Sequence, residues 1–504
     1  MNSRRPAPFP AEIADHPDST GRTGRGGHSA AVSHDAGLRP VLVVSIMTAS
    51  LLGSSLVGRG YGFGALWLVS NTGLHLVIAA WFLTRPGGAT AGMLSAGALT
   101  AYVLIVYGSW APALAAGEPF ASPVPGPVST SALEYTTAAA LVVAGGAVLA
   151  STIYGIVRGT TPRVNHHSAV PPSRWWRGVL ILEAIGLCCF AAFKVSIHQP
   201  VISLALFRPA PASIAPQGTS SAYQFLSAGI DVSIGAAIAA SGLLGLKTYR
   251  FRVFALIALN LFLYATIGFK YRLVVTIIGV FGVWATTRPH ERRLAPRSQR
   301  MKAILTGVLL TAVAFLVVQV FRGDHQSSQA VTASSFDLAR AESIATRSIG
   351  IAAPYAAIHQ AHFGLLLGKS YLELPRLFVP QAVLGDKPLP AMSLLIQAVT
   401  TPGAGAAVPL WAEADANFGL VGLVCFGAIL GWVVSHSDTA DRRGMETATV
   451  AAATGATLAS VLSRSLMFFA LYEFAVIVLP IWTLGRWGAR RGTRGYRQAG
   501  ARPK

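Results

Sequence analysis

Charge is what this sequence has least of. Asp, Glu, Lys and Arg together make up 12% of the 504 residues, where an ordinary soluble domain has about a quarter. Apolar residues make up 53%, and the mean hydropathy is +0.53. This composition excludes a water-soluble globular chain and puts the protein in a membrane. Cysteine is scarce too: Cys188, Cys189 and Cys425 are the three present, all inside apolar runs. There is therefore neither a disulfide framework nor a CxxC ligand set for a metal. Acidic residues are half as many as basic ones, 20 against 40, for a net charge of +20. In a soluble protein that excess would suggest nucleic acid. Here most of it flanks hydrophobic stretches and reads as topological anchoring, so no nucleic-acid partner is expected.

Residues 1–38 are rich in Gly, Pro, Ser and Arg and show no apolar period, so they read as a disordered cytoplasmic tail. The apolar run after Arg39 begins too late and runs too long for a signal peptide, and is expected to stay as a transmembrane helix. A span needs about 20 mostly apolar residues. On that criterion there are twelve candidates, centred near residues 49, 73, 100, 145, 187, 236, 261, 280, 312, 426, 458 and 478. The expected fold is thus all-α and polytopic, with spans one to nine in 39–321 and ten to twelve in 416–486. One large outer-face loop, 322–415, separates them, and a basic cytoplasmic tail occupies 487–504. With both termini cytoplasmic, 28 of the 40 Lys and Arg fall on the inner side, as the positive-inside rule asks of a plasma-membrane protein. No internal repeat or paired glycine-broken spans point to an inverted-repeat transporter.

A connection as long as 322–415 is unusual unless it is functional or disordered. This one carries apolar period, aromatics and most of the external charge, so it reads as a folded cap. Within FDLARAESIATRSIG, helical spacing puts Arg340 and Arg347 on one stripe. Their planar donor forks suit phosphate or carboxylate, and a solvated surface face explains them as well. In IAAPYAAIHQAHFGLLLG, His359 and His362 lie one turn apart. Either can take a proton from a sugar hydroxyl, the pair can ligate a metal, or both can simply pack at the interface. The segment GKSYLELPRLFVPQAVLGDKP, broken by three prolines, reads as irregular chain lying on the membrane plane. Its Tyr371, Lys369, Arg376 and Lys387 suit anionic lipid or a lipid carrier's phosphates. The cap ends in LWAEADANFGLVGLVCFGAILG, where Glu413 and Asp415 precede a span punctuated by Gly419, Gly422, Gly427 and Gly431. Those carboxylates suit a helix start electrostatically, and they can equally orient a sugar hydroxyl or act as a base. The glycines read as sites of close helix packing. At the edges of apolar runs stand Lys270 and Arg272 in GFKYRLVV and Arg464 in SVLSRSLMFF. Each either snorkels to the interface or marks a site.

Taken together, a KYR turn after the seventh span, a late outer loop reading GKSYLELPRLFVP, DKP and EADANFGLVG, and a glycine-rich span resemble the O-antigen polymerase (Wzy-type) oligosaccharide repeat-unit polymerases. The resemblance covers roughly residues 250–480. It implies a membrane glycosyltransferase, needing no cofactor and no metal, that joins polyprenyl-diphosphate-linked oligosaccharides on the outer face of the membrane. It also implies a chain-length regulator and a flippase as partners. On that reading Arg272, Arg464, Arg347, Arg376, Arg340, Lys270, Tyr371 and Lys387 would bind the lipid-linked substrate, with cations aimed at the departing diphosphate. His359, His362, Glu413 or Asp415 would serve as the base. Two other readings compete. One is a glycan ligase using the same donor, and the other is a flippase or exporter, for which Glu183, Asp231 and Lys194 are the candidate groups at the bilayer midplane.

Overall fold

A computed structural model of the chain describes residues 128–158, 172–196, 229–244, 249–267, 270–287, 352–379, 389–400, 407–441, 445–462 and 466–486, with scattered positions at 74–99, 124, 125, 201, 226 and 227. The chain divides into Met1–Arg39 and Pro40–Lys504, and every described residue belongs to the second unit. The expected disordered tail, the basic C-terminal tail, the span near 49, the span near 312 and the whole 322–350 segment lie outside the described residues.

The described residues form helices and no strands. In chain order the helices are α1 (Thr130–Arg158), α2 (Pro172–Ser196), α3 (Val232–Leu243), α4 (Arg250–Ile267) and α5 (Lys270–Thr287). Four shorter ones follow: α6 (Ala352–Gln360), α7 (Lys369–Leu372), α8 (Leu374–Phe378) and α9 (Ala391–Val399). The last are α10 (Leu410–Asp441), α11 (Met445–Val461) and α12 (Met467–Glu473), which runs on through a π turn at Phe474–Val478. Among the described residues, five stretches are long and apolar enough to cross a membrane: Ser131–Val157, Trp175–Ser196, Arg250–Ile267, Leu410–Ser437 and Met467–Arg486. The chain is therefore an all-helical protein of the membrane-spanning type. Val232–Leu243 and Tyr271–Val283, two of the expected spans, are apolar but shorter.

Helix is the only local structure that satisfies every backbone group in an apolar medium. The few hydroxyls in α1 are satisfied the same way. Thr136, Thr137, Ser151 and Thr152 each donate to a carbonyl three or four residues earlier, which removes the cost of burying them. Ser129 caps the helix by accepting from the Ala132 N–H at 3.2 Å, one of the donors a helix start leaves without a partner.

Two apolar cores result. The first joins α1, α6, α9, α10 and the end of α11, around Leu141, Tyr355, Met392, Trp411 and Phe426. The second wraps α3 with α2, α4, α5, α11 and the π turn, around Phe193, Ile238, Tyr264, Val275 and Ile477. Every residue of α3 is buried, so this short helix is the axis of the second bundle. Helix α11 serves both cores, with Ala452 and Ala456 facing one and Leu458 and Val461 the other. The contact between α1 and α10 is made by small residues. A Cβ on Gly427 would meet the Val143 carbonyl oxygen at 2.6 Å, and one on Gly146 would meet the Gly427 Cα at 3.2 Å. Gly427 and Gly431 form a small-xxx-small pair that lets the two backbones touch.

Candidate functional site

The first candidate site is built on the start of α10. The structure starts this helix at Leu410, ahead of the expected boundary at 416, so Glu413 and Asp415 lie inside its first two turns. Both are buried, at 3% and 8% exposure. The Leu410 N–H is satisfied by the Leu462 carbonyl just past α11, at 3.0 Å.

Glu413 ties three segments together. One carboxylate oxygen accepts from the Ser370 hydroxyl in α7, and the other from the Met467 N–H that opens α12, each at 2.7 Å. A carboxylate thus supplies the partner that a helix N-terminus lacks. Asn417, one turn further along α10, donates to the Ser370 hydroxyl and to the Glu413 carbonyl, again at 2.7 Å. Asp415 points elsewhere. Its two oxygens accept from the phenols of Tyr135 in α1 and Tyr355 in α6, both at 2.8 Å. Stacked flat on Tyr135, with ring centroids 3.5 Å apart and planes 8° apart, is His359. The Gln360 side chain accepts from the Ser129 N–H at 2.9 Å, which pins the end of α6 to the start of α1.

The loop between α6 and α7 is held by a break in α10. Gly419 has φ 58° and ψ −142°, a backbone conformation essentially confined to glycine. The carbonyls of Ala416 and Asn417 accept instead from the N–H groups of Leu366 and Leu367 in the loop, at 2.9 and 3.0 Å. A Cβ on Gly419 would have room, the nearest atom being Leu365 Cδ2 at 3.8 Å, so the requirement is conformational. Gly419→Ala is expected to cost about 1–3 kcal/mol, read as a lower thermal unfolding midpoint of the purified membrane protein. An unchanged midpoint would mean that the break does not hold the loop.

Electrostatically, burial holds the His359 imidazole below the ordinary 6.5. The Asp415 carboxylate pulls it partly back up, and His362 pushes it further down. At neutral pH His359 is therefore uncharged and able to accept a proton. Burial first, and Glu413 second, push the Tyr371 phenol well up, so it stays protonated as a donor. Its ring stacks with Phe418 at 6.0 Å. His362, Lys369 and Arg376 are exposed beside this cluster. The segment 369–378, expected to be irregular, forms the two short helices α7 and α8.

Arg272 stands in a different place. Expected at the edge of an apolar run, either snorkelling to the interface or marking a site, it is in the first turn of α5 and fully buried. Its Nε donates to Asp231 at 2.5 Å, and its Nη2 donates to the Ser227 carbonyl and hydroxyl. The Tyr271 phenol donates to the other Asp231 oxygen at 2.9 Å. Around this pair the second core holds a further polar set. Asn260 donates to Glu183 at 3.1 Å, Ser233 bonds Tyr264, and the Lys194 ammonium donates to the Thr266 carbonyl at 3.1 Å.

Of the residues singled out from sequence, the structure gathers His359, His362, Tyr371, Glu413 and Asp415 around the start of α10, puts Arg376 exposed on α8, and leaves Arg272 in the second core. Lys270 opens α5, its side chain outside the described residues, as are Arg340, Arg347, Lys387 and Arg464. Among the described residues, no three His, Cys, Asp or Glu side chains gather so as to hold a metal ion. Sequence reasoning passed over Tyr135, Tyr355, Ser370 and Asn417. The last three lie inside strings already marked, but Tyr135 is 280 residues from Asp415 and carried no local signal. No protein-family model, curated protein or solved structure matches this chain.

Proposed function

We propose that the chain is a membrane glycosyltransferase that polymerises polyprenyl-diphosphate-linked oligosaccharide repeat units into a surface polysaccharide. It would act at the outer face of the plasma membrane, with both termini cytoplasmic and a flippase and chain-length regulator as partners. The observation that carries this reading is His359, a neutral, half-buried base held by its stack on Tyr135, which Asp415 in turn anchors. On this reading His359 takes the proton of the acceptor sugar hydroxyl as that oxygen attacks the anomeric carbon of the donor. The bond to the diphosphate then breaks, and its charge falls near the exposed Lys369 and Arg376, which favour it electrostatically. Glu413 and Asp415, whose four oxygens all accept hydrogen bonds, act as scaffold and position the base.

The test is deletion of the gene in its host, with lipid-linked glycans and surface polysaccharide separated by size. Loss of long chains, with single repeats reaching the outer leaflet, is the expected result. Long lipid-linked chains accumulating unattached would identify a ligase instead, and single repeats trapped on the inner leaflet a flippase.

A further inference from the structure

The second core holds a pair of buried polar groups that glycosyl transfer does not use. Glu183 lies midway along α2 at 5% exposure and Asn260 midway along α4 at 0%. The Asn260 amide nitrogen donates to one Glu183 oxygen at 3.1 Å and to the Ser233 carbonyl at 3.3 Å. Two atoms are left over, Oε1 of Glu183 and Oδ1 of Asn260, buried and without a hydrogen-bond partner among the described residues. Both are acceptors when the carboxyl is ionised, so that state leaves two buried oxygens unsatisfied and a negative charge in an apolar bundle. Among the described residues, Arg272 is paired with Asp231 and Lys194 bonds a backbone carbonyl.

We propose that Glu183 and Asn260 form a binding site for a single proton, carried on Glu183 Oε1 and donated to Asn260 Oδ1. With that proton in place the acid and the amide exchange one hydrogen bond in each direction, and every polar atom of the pair is used. A proton needs one donor atom and one acceptor atom, which is what the leftover oxygens offer, whereas Na⁺ needs a shell of several oxygens. The titratable and charged groups on the packed elements are Arg174, Arg177, Cys188, Cys189 and Lys194 on α2, Asp231 at the start of α3, Arg250, Arg252 and Tyr264 on α4, Lys270, Tyr271 and Arg272 on α5, Glu446 on α11, and Tyr472 and Glu473 on α12. Of these, Tyr264 is in electrostatic range of Glu183, Asp231 and Arg272 together. An ionisable carboxyl held between membrane helices is the element that proton-driven movement through a membrane requires. The site stands independently of the glycosyltransferase reading.

The experiment uses the full chain in lipid nanodiscs and infrared difference spectroscopy across pH steps. The expected result is a protonated-carboxyl carbonyl band at neutral pH that shifts in D₂O and vanishes in Glu183→Gln. In Asn260→Leu the band should persist but move, because its acceptor is gone. The Glu183→Gln thermal midpoint should match that of the wild type at acid pH and lie above it at neutral pH, since the glutamine amide supplies the same donor without taking up a proton that the unfolded chain has already lost. As pH rises, the wild type should lose stability and the variant should not. The proposal is overturned if the band survives in Glu183→Gln, or if that variant is destabilised or fails to fold at neutral pH. It is also overturned if NaCl, titrated against choline chloride, raises the midpoint of the wild type and not of the variant.

Discussion

Asp231→Ala is expected to unfold or severely destabilise the second bundle. The Arg272 guanidinium is fully buried, and its Nε is held by Asp231 at 2.5 Å. Removing one member of a buried ion pair leaves the other charged in a low dielectric, at a cost of about 3–5 kcal/mol. The Tyr271 phenol loses its acceptor in the same step, which adds to the loss. The measurement is the yield and thermal midpoint of the detergent-purified protein. The pair itself is a different quantity from its breakage, because bringing both charges out of water offsets much of their attraction. Asp231→Leu combined with Arg272→Leu is therefore expected to recover a large part of the stability lost in the single variant. If Asp231→Ala melted with the wild type, the ion pair would not be holding α3 to α5.

The largest expected effect on activity is at His359. In the proposed reaction a positioned base contributes about 10²–10⁴-fold, so His359→Ala should lower polymer formation by that factor in a membrane preparation with unchanged protein level. The loss should appear in kcat more than in KM. The pH profile supplies the second readout. Because burial and His362 hold the imidazole below 6.5, the acid limb set by His359 should lie below that value, with activity constant through neutrality and falling as the group protonates. Stability has the same sign. The unfolded chain binds this proton more readily than the folded one, so the contribution of His359 is present above pH 6.5 and is lost as pH falls through the depressed value. Tyr135→Phe keeps the stacked ring but removes the hydroxyl that bonds Asp415, and should show a smaller loss than His359→Ala. A His359→Ala enzyme that still built normal chain lengths at a normal rate would rule out the imidazole as base.

The two clusters are linked through α12. Its first N–H is capped by Glu413 of the α10 site, and Tyr472 and Glu473, at its far end, lie within electrostatic range of Asp231 and Tyr271 respectively.

What could be read along the chain alone was whatever depends on neighbours in sequence. Crossing a membrane is set by the length and apolarity of one segment, so the helices at 131–157, 175–196, 250–267, 410–437 and 467–486 sit where hydropathy puts them. The small residues at Gly427 and Gly431 were likewise readable as a packing face, since four-residue spacing is a local property of helices. His359, Tyr371, Glu413 and Asp415 could be marked because polar groups next to apolar runs stand out by cost alone. Their partners could not. Asp415 is held by tyrosines 280 and 60 residues away, and Arg272 by an aspartate 41 residues away. Those distances in sequence become hydrogen bonds only once whole helices pack side by side. The partner of Arg272 was out of reach for the same reason. An arginine near a span end snorkels unless a buried carboxylate is waiting for it, and the packing of α3 against α5 decided that. The break at Gly419 belongs with these. Glycine permits a left-handed backbone, but only the loop N–H groups of Leu366 and Leu367, arriving to take the carbonyls of Ala416 and Asn417, give the chain a reason to use it.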